Sequence, residues 1–135
     1  MSIDTYKVKV TGSATSDRYQ ASVRDFSLEL APNSTQVANA YEAILEALGG
    51  CESIVMGSFY RKQKFTYRSF YLTLEGLQEA PMQGLSEIKV GVHFDTSENK
   101  KACTDFVEFA EGTCPVMDNL TNTVPIKRTA VTIKH

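Results

Sequence analysis

The chain has 135 residues, which fits one domain at ~100–200 residues each and leaves enough chain to bury a real core. Apolar residues make up 42% and charged residues 22%, with four prolines, which excludes a disordered chain. Fourteen basic side chains against sixteen acidic ones give a net charge of −2, so no strong field calls for nucleic acid or an anionic membrane.

Strands come first. Tyr6, Val8 and Val10 alternate with Lys7 and Lys9, the period of a half-buried strand, and Gly12-Ser13 punctuates it. Arg18 to Val23 and Phe26 to Leu30 read as two more strands, with a tight hairpin at Arg24-Asp25. Pro32-Asn33-Ser34-Thr35 is a loop leading to a helix, with Ser34 or Thr35 as N-cap. That helix spans Gln36 to about Lys62. At 100° per residue, Ala40, Ile44, Ala47, Leu48, Cys51, Ile54 and Val55 fall in one stripe. Gly49-Gly50 interrupts the pattern at ~1 kcal/mol each relative to Ala, so either the helix ends there or something packs against the bare backbone beside Cys51. The second option is the expectation. The basic run Arg61 to Arg68 reads as a solvated helix end.

Two clear strands follow, one carrying Phe70, Leu72 and Leu74, the other Ile88, Val90, Val92 and Phe94. A second helix is expected from about Ser97 to Glu111, capped by Asp95 or Thr96, with Cys103, Phe106, Val107 and Ala110 as its stripe and Gly112 as its stop. Cys114-Pro115 opens a short third helix, since proline suits the first helical position. Val131 and Ile133 alternate enough for a last strand between Val124 and Ile133. The order βββ-α-ββ-αα-β, without repeat or linker, describes one α+β domain over residues 1–135.

The cysteines, at 51, 103 and 114, cannot all pair within one chain, and a stapled secreted domain would be richer in them. Met1 to Thr11 has no apolar signal core, and no stretch approaches the ~18 apolar residues of a membrane span. The glycosylation matches at Asn33 and Asn119 therefore read as chance. The expectation is a reduced, cytoplasmic protein whose cysteines are either packing or chemistry. Cys51, on the apolar stripe, suits a core position or a nucleophile, whereas Cys103 reads as core. Cys114, at a helix N-terminus, meets unpaired N–H groups that favour a thiolate. With only two histidines, His93 on a polar strand face and the terminal His135, no His/Cys metal cluster is expected. No phosphate loop and no G-x-S-x-G elbow is present, so no cofactor or metal is implied.

The run Asn39-Ala-Tyr-Glu42-Ala-Ile-Leu-Glu-Ala-Leu-Gly-Gly-Cys51, followed some sixty residues later by Cys114-Pro115-Val116, resembles the OsmC/Ohr family. Val23-Arg24-Asp25-Phe26-Ser-Leu resembles that family's strand entry, and the element order agrees over nearly the whole chain. The resemblance implies an intertwined homodimer in which long central helices pack between antiparallel sheets from both chains. It further implies a thiol-dependent peroxidase that reduces organic hydroperoxides. Cys51 would be the peroxidatic thiolate and Cys114 the resolving thiol, with the disulfide reduced by an external dithiol, of lipoyl type in some members. Arg24 or Arg18 would hold the thiolate and orient the peroxide.

This sequence departs from the family's pattern in three places, one of them the histidine expected after the arginine, which is Phe26 or is absent. Ala40 stands where proline is usual, and Tyr41 stands where peroxidase members carry their functional glutamate. Glu42, nine residues before Cys51, matches the broader branch. Nine residues of helix are ~13.5 Å of rise and half a turn, so Glu42 would serve the partner chain's site more readily than its own. An inter-subunit pocket lined by Tyr41, Phe59 and Tyr60 would suit hydrophobic peroxides. The competing class is a non-catalytic module that binds an apolar small molecule at the dimer interface.

Overall fold

A computed structural model describes residues 3–135. Its elements are β1 (Lys9–Thr11), β2 (Tyr19–Val23), β3 (Phe26–Leu30), α1 (Ala40–Phe59), β4 (Ser69–Leu77), β5 (Glu87–Asp95), α2 (Lys100–Thr113) and α3 (Pro115–Thr121). This is the expected α+β class, with one sheet ordered β1-β2-β3 and a second made of β4-β5. The chain divides into two compact units. One holds the described residues up to Gly49 together with Leu72–Gly91, and the other holds Gly50–Tyr71 with Val92–His135.

In the first unit the register Val23↔Phe26 leaves Arg24-Asp25 as a two-residue turn, as the sequence indicated. Arg24 takes φ 50, a left-handed backbone that hairpin turns usually give to glycine or asparagine. The first strand is shorter than expected. Its ladder covers Lys9–Thr11 only, while Tyr6 and Val8 stay exposed, because alternation makes a strand only where a partner supplies hydrogen bonds.

Helix α1 begins later than expected, at Ala40. Ser34 Oγ closes a local turn by accepting from Gln36 and Val37 N–H at 3.0 and 3.1 Å. The capping work falls to Asn39, whose Oδ1 accepts from Glu42 N at 2.8 Å while Glu42 Oε1 accepts from Asn39 N at 2.9 Å, a reciprocal capping box. The helix then runs unbroken through both glycines. A Cβ on Gly49 would sit 2.7 Å from Leu74 Cδ1, so the bare backbone there is what lets β4 approach. Gly50 has nothing within 4 Å of that position, so the close packing expected of the pair belongs to Gly49 alone.

In the second unit, α1 stops at Phe59, short of the expected Lys62. Phe65 N–H reaches back to Tyr60 C=O at 2.9 Å, and Lys64 takes the left-handed φ of 55, the geometry of a Schellman stop with lysine where glycine is usual. The turn delivers Phe65 into the core. Its ring, 3% exposed, stacks on Phe106 at 4.4 Å and meets Phe94 edge-on at 5.1 Å.

Helix α2 starts after Asn99, whose side chain accepts from Ala102 N–H at 2.8 Å. The expected caps are occupied elsewhere: Asp95 accepts from Arg68, and Thr96 donates to the Thr66 carbonyl. Nor does Gly112 end the helix, which continues to Thr113 and closes where Cys114 begins α3. The expected strand between Val124 and Ile133 is not formed. Val124, Ile126, Val131 and Ile133 are 52–95% exposed, and no strand among the described residues pairs with them. Among the described residues, no helix is long and apolar enough to cross a membrane.

Candidate functional site

The inner face of α1 is the set Leu48, Glu52, Val55 and Met56, spaced i, i+4, i+7, i+8 and all buried. Cys51 lies at the border of that face and is half-buried. Helix α2 runs antiparallel to the second half of α1. Phe59 meets Phe109 edge-on at 5.6 Å, and Cys51 meets Cys114 eight residues back along α1. The fold thus makes the two thiols of the sequence motif neighbours, close enough for Cys51 to bear on the titration of Cys114.

Cys114 is held from both sides. Its N–H bonds the Ala110 carbonyl and closes α2, while its sulfur accepts from Met117 N–H at 3.3 Å and caps α3. Helix-end N–H groups favour thiolate, which was the sequence expectation, but the net shift runs the other way. Burial pushes the Cys114 thiol above its ordinary value, and the neighbouring Cys51 adds to the rise, outweighing the Met117 and Val116 N–H groups. Cys114 is 2% exposed, so desolvation dominates. Cys114 therefore holds its proton more firmly than an ordinary thiol, and Cys51 is the less buried of the two.

Arg24 stands at the β2–β3 turn with its guanidinium 5.1 Å from the centre of the Phe26 ring. Arg18 is paired with Glu29 at 3.0 Å. Glu42 caps its own helix through Asn39. Cys103 lies half-buried on α2. Tyr41 donates from its hydroxyl to the Gln83 carbonyl at 2.8 Å and accepts from Gln78 Nε2 at 2.9 Å, which ties the β4–β5 loop to the start of α1. Tyr60 packs edge-on to Tyr67 at 5.3 Å. Among the described residues, no cluster of His, Cys, Asp and Glu is arranged to hold a metal ion.

Glu52 is the residue that sequence reasoning passed over. It is 1% exposed, and its Oε1 has no hydrogen-bond partner. Burial, reinforced by the carboxylate of Glu111 on the last turn of α2, pushes its carboxyl above the ordinary value of 4.5. The available signal was its place at i+4 from Leu48 and i−4 from Met56, a charged residue in the middle of a buried face.

The two-cysteine site lies in a fold with solved counterparts. The chain matches the OsmC-like protein family over residues 32–129, and it belongs to that family. Its fold is that of the OsmC-like protein from Mycoplasma pneumoniae, with a TM-score of 0.80, 17% identity and 89% of each chain covered. It is also that of the organic hydroperoxide resistance protein OsmC from Legionella pneumophila, with a TM-score of 0.65, 16% identity and 89% and 91% covered. The organic hydroperoxide resistance protein OhrB of Bacillus subtilis gives a TM-score of 0.61 at 14% identity, with 92% and 96% covered. No curated protein matches the chain.

Proposed function

We propose that the protein is a two-cysteine peroxidase that reduces organic hydroperoxides, with Cys51 peroxidatic and Cys114 resolving. The observation that carries this reading is the juxtaposition of a half-buried Cys51 with a buried, protonated Cys114 at the end of α2. Family membership and hydroperoxide-resistance proteins of the same fold support it.

The chemistry balances with these two sulfurs. The Cys51 thiolate attacks the outer oxygen of the peroxide; an S–O bond forms, the O–O bond breaks, and the alkoxide leaves and takes a proton from solvent. Cys114 then attacks the Cys51 sulfenic acid; the S–S bond forms, the S–O bond breaks, and hydroxide leaves with the Cys114 proton as water. A thiol that holds its proton until this step supplies it where it is needed. An external dithiol of lipoyl type returns both cysteines to thiols and is itself oxidised to a disulfide. The cytoplasm, which maintains thiols reduced, is the setting this cycle requires. Arg18 or Arg24, presented to a site completed by a second chain, would orient the peroxide, and Glu42 would reach the partner's thiol.

A homodimer is part of the same proposal. Ala40, Ile44, Ala47, Cys51 and Ile54 follow a 4-3-4-3 spacing along α1, and Ile44 and Ile54 are 39% and 70% exposed in a single chain. That row of small and branched residues fits a second copy of the same helix.

The test is to mix the protein with cumene hydroperoxide and a lipoyl dithiol and compare Cys51→Ser. The variant should lose peroxide consumption above the protein-free background. Equal consumption by both proteins would sink the reading and leave the fold as a ligand-binding module.

A further inference from the structure

Glu52 has no part in the steps above, yet it sits where they take place. It follows Cys51 on α1 and belongs to the buried face of that helix. Glu111, three residues before Cys114, is the charged group of α2 whose field acts on it. Asp105 and Glu108 of α2 interact with Lys101 on the same helix. On α1 the adjoining titratable group is Cys51 itself. Each of the two helices therefore carries one carboxyl close in sequence to its thiol, Glu52 beside Cys51 and Glu111 three residues before Cys114. A buried carboxylate with one oxygen unpartnered is costly, and a second carboxylate opposite makes it more so. A neutral carboxyl in the same place escapes the repulsion and keeps only the smaller cost of a buried polar oxygen.

We infer that Glu52 is a positioning residue for the cysteine pair: uncharged, it lets the last turn of α2 seat Cys114 against Cys51, and ionised, it meets Glu111 and holds that turn away. The inference rests on the two-cysteine reading and adds a pH dependence to it. Through Glu52, rising pH opposes the closure that forms the disulfide. Resolution is then confined to conditions in which Glu52 holds its proton.

The experiment separates this from peroxidase activity by using an azodicarboxamide oxidant. Its N=N bond takes two electrons and two protons as two S–H groups become one S–S bond. In a Cys103→Ser background, the rate of Cys51–Cys114 disulfide formation is measured from pH 5 to pH 9 for the parent, Glu52→Gln and Glu111→Gln. The glutamine is neutral at every pH. The Glu52→Gln rate should match the parent at the acid end and exceed it increasingly toward the alkaline end, where only the parent carries the extra charge. Glu111→Gln, an exposed change that leaves the buried face intact, should move the ratio the same way by a smaller factor. A ratio that stays flat with pH, or a Glu52→Gln rate that falls below the parent, would overturn the inference. If Glu52→Gln does not fold, as judged by its thermal melt, Glu111→Gln decides alone. Peroxide consumption by Cys51→Ser is scored separately, so the peroxidase reading can fail while this inference stands, and the reverse.

Discussion

A homodimer built on α1 places a quantitative demand on Ile54. In one chain this side chain is 70% exposed, in line with Ile44 and Ala47. Fully burying an isoleucine contributes about 1.5–3 kcal/mol, so covering the exposed fraction contributes roughly 1–2 kcal/mol per copy. A twofold interface counts each position twice, which gives roughly 2–4 kcal/mol for the pair. Ile54→Glu removes that contribution and brings two carboxylates into a seam built from apolar and small residues. The dimer dissociation constant should rise roughly 30- to 700-fold from the area alone, with charge burial adding to it. Sedimentation equilibrium over three decades of protein concentration measures the constant directly. Thr73→Glu is the control, on the solvent-facing row of β4, where a polar change is worth within about 0.5 kcal/mol. An Ile54→Glu constant within about threefold of the parent's, or a parent that stays monomeric at about 100 μM, far above any concentration a stable seam would need, would refute the reasoning.

The remaining predictions concern the second unit. Phe65→Ala empties the centre of the Phe65–Phe94–Phe106 cluster and should cost about 3–5 kcal/mol, which for a chain of this size lowers Tm by roughly 10–18 °C at fixed protein concentration; a drop under about 3 °C would show that the cluster does not hold α2 in place. Glu52→Gln should change the pH dependence of stability. Because the folded-state value of Glu52 lies above the ordinary 4.5, the native chain binds more protons than the unfolded one between those values, so its stability falls as pH rises through that window. The urea midpoint of Glu52→Gln should therefore gain on the parent between pH 4 and pH 8, by about 1.4 kcal/mol for each unit of displacement, and an unchanged gap would contradict the burial argument.

Much of this molecule is legible in its residues. The alternation of Phe70, Leu72 and Leu74, and of Ile88 through Phe94, became β4 and β5 with the expected faces inward, because each strand has the other as partner. The same alternation at Tyr6–Val10 and Val131–Ile133 made three residues of ladder and none, since period alone says nothing about whether a partner lies alongside. Caps were misplaced for a related reason. Ser34, Thr35, Asp95 and Thr96 are all chemically able to cap. A local turn engages Ser34, and bonds across the fold engage Asp95 and Thr96, which left Asn39 and Asn99 to do it. The meeting of Cys51 and Cys114 was legible only as a motif, because the separation of sixty residues has no local pattern to read. The direction of the Cys114 shift was not legible at all. Its helix-end position is visible in Cys-Pro, while the burial that outweighs it is a property of the packed chain.

The position of Cys51 on α1 follows from helix geometry. At 100° per residue, Leu48, Cys51 and Ile54 step around the helix by 60° each, because three residues turn the chain through 300°. Along that step exposure runs from 2% at Leu48, through a half-buried Cys51, to 70% at Ile54. A reactive thiol must be accessible to a small substrate and also fixed against a resolving partner. A cysteine at the centre of the inner face would meet the second need only, and one at position 54 would face the proposed second copy, turned away from Cys114. The border position satisfies both. The neighbouring inner-face position follows from the same geometry: Glu52 lies 100° from Cys51 and so falls inside the packed face, where it is 1% exposed.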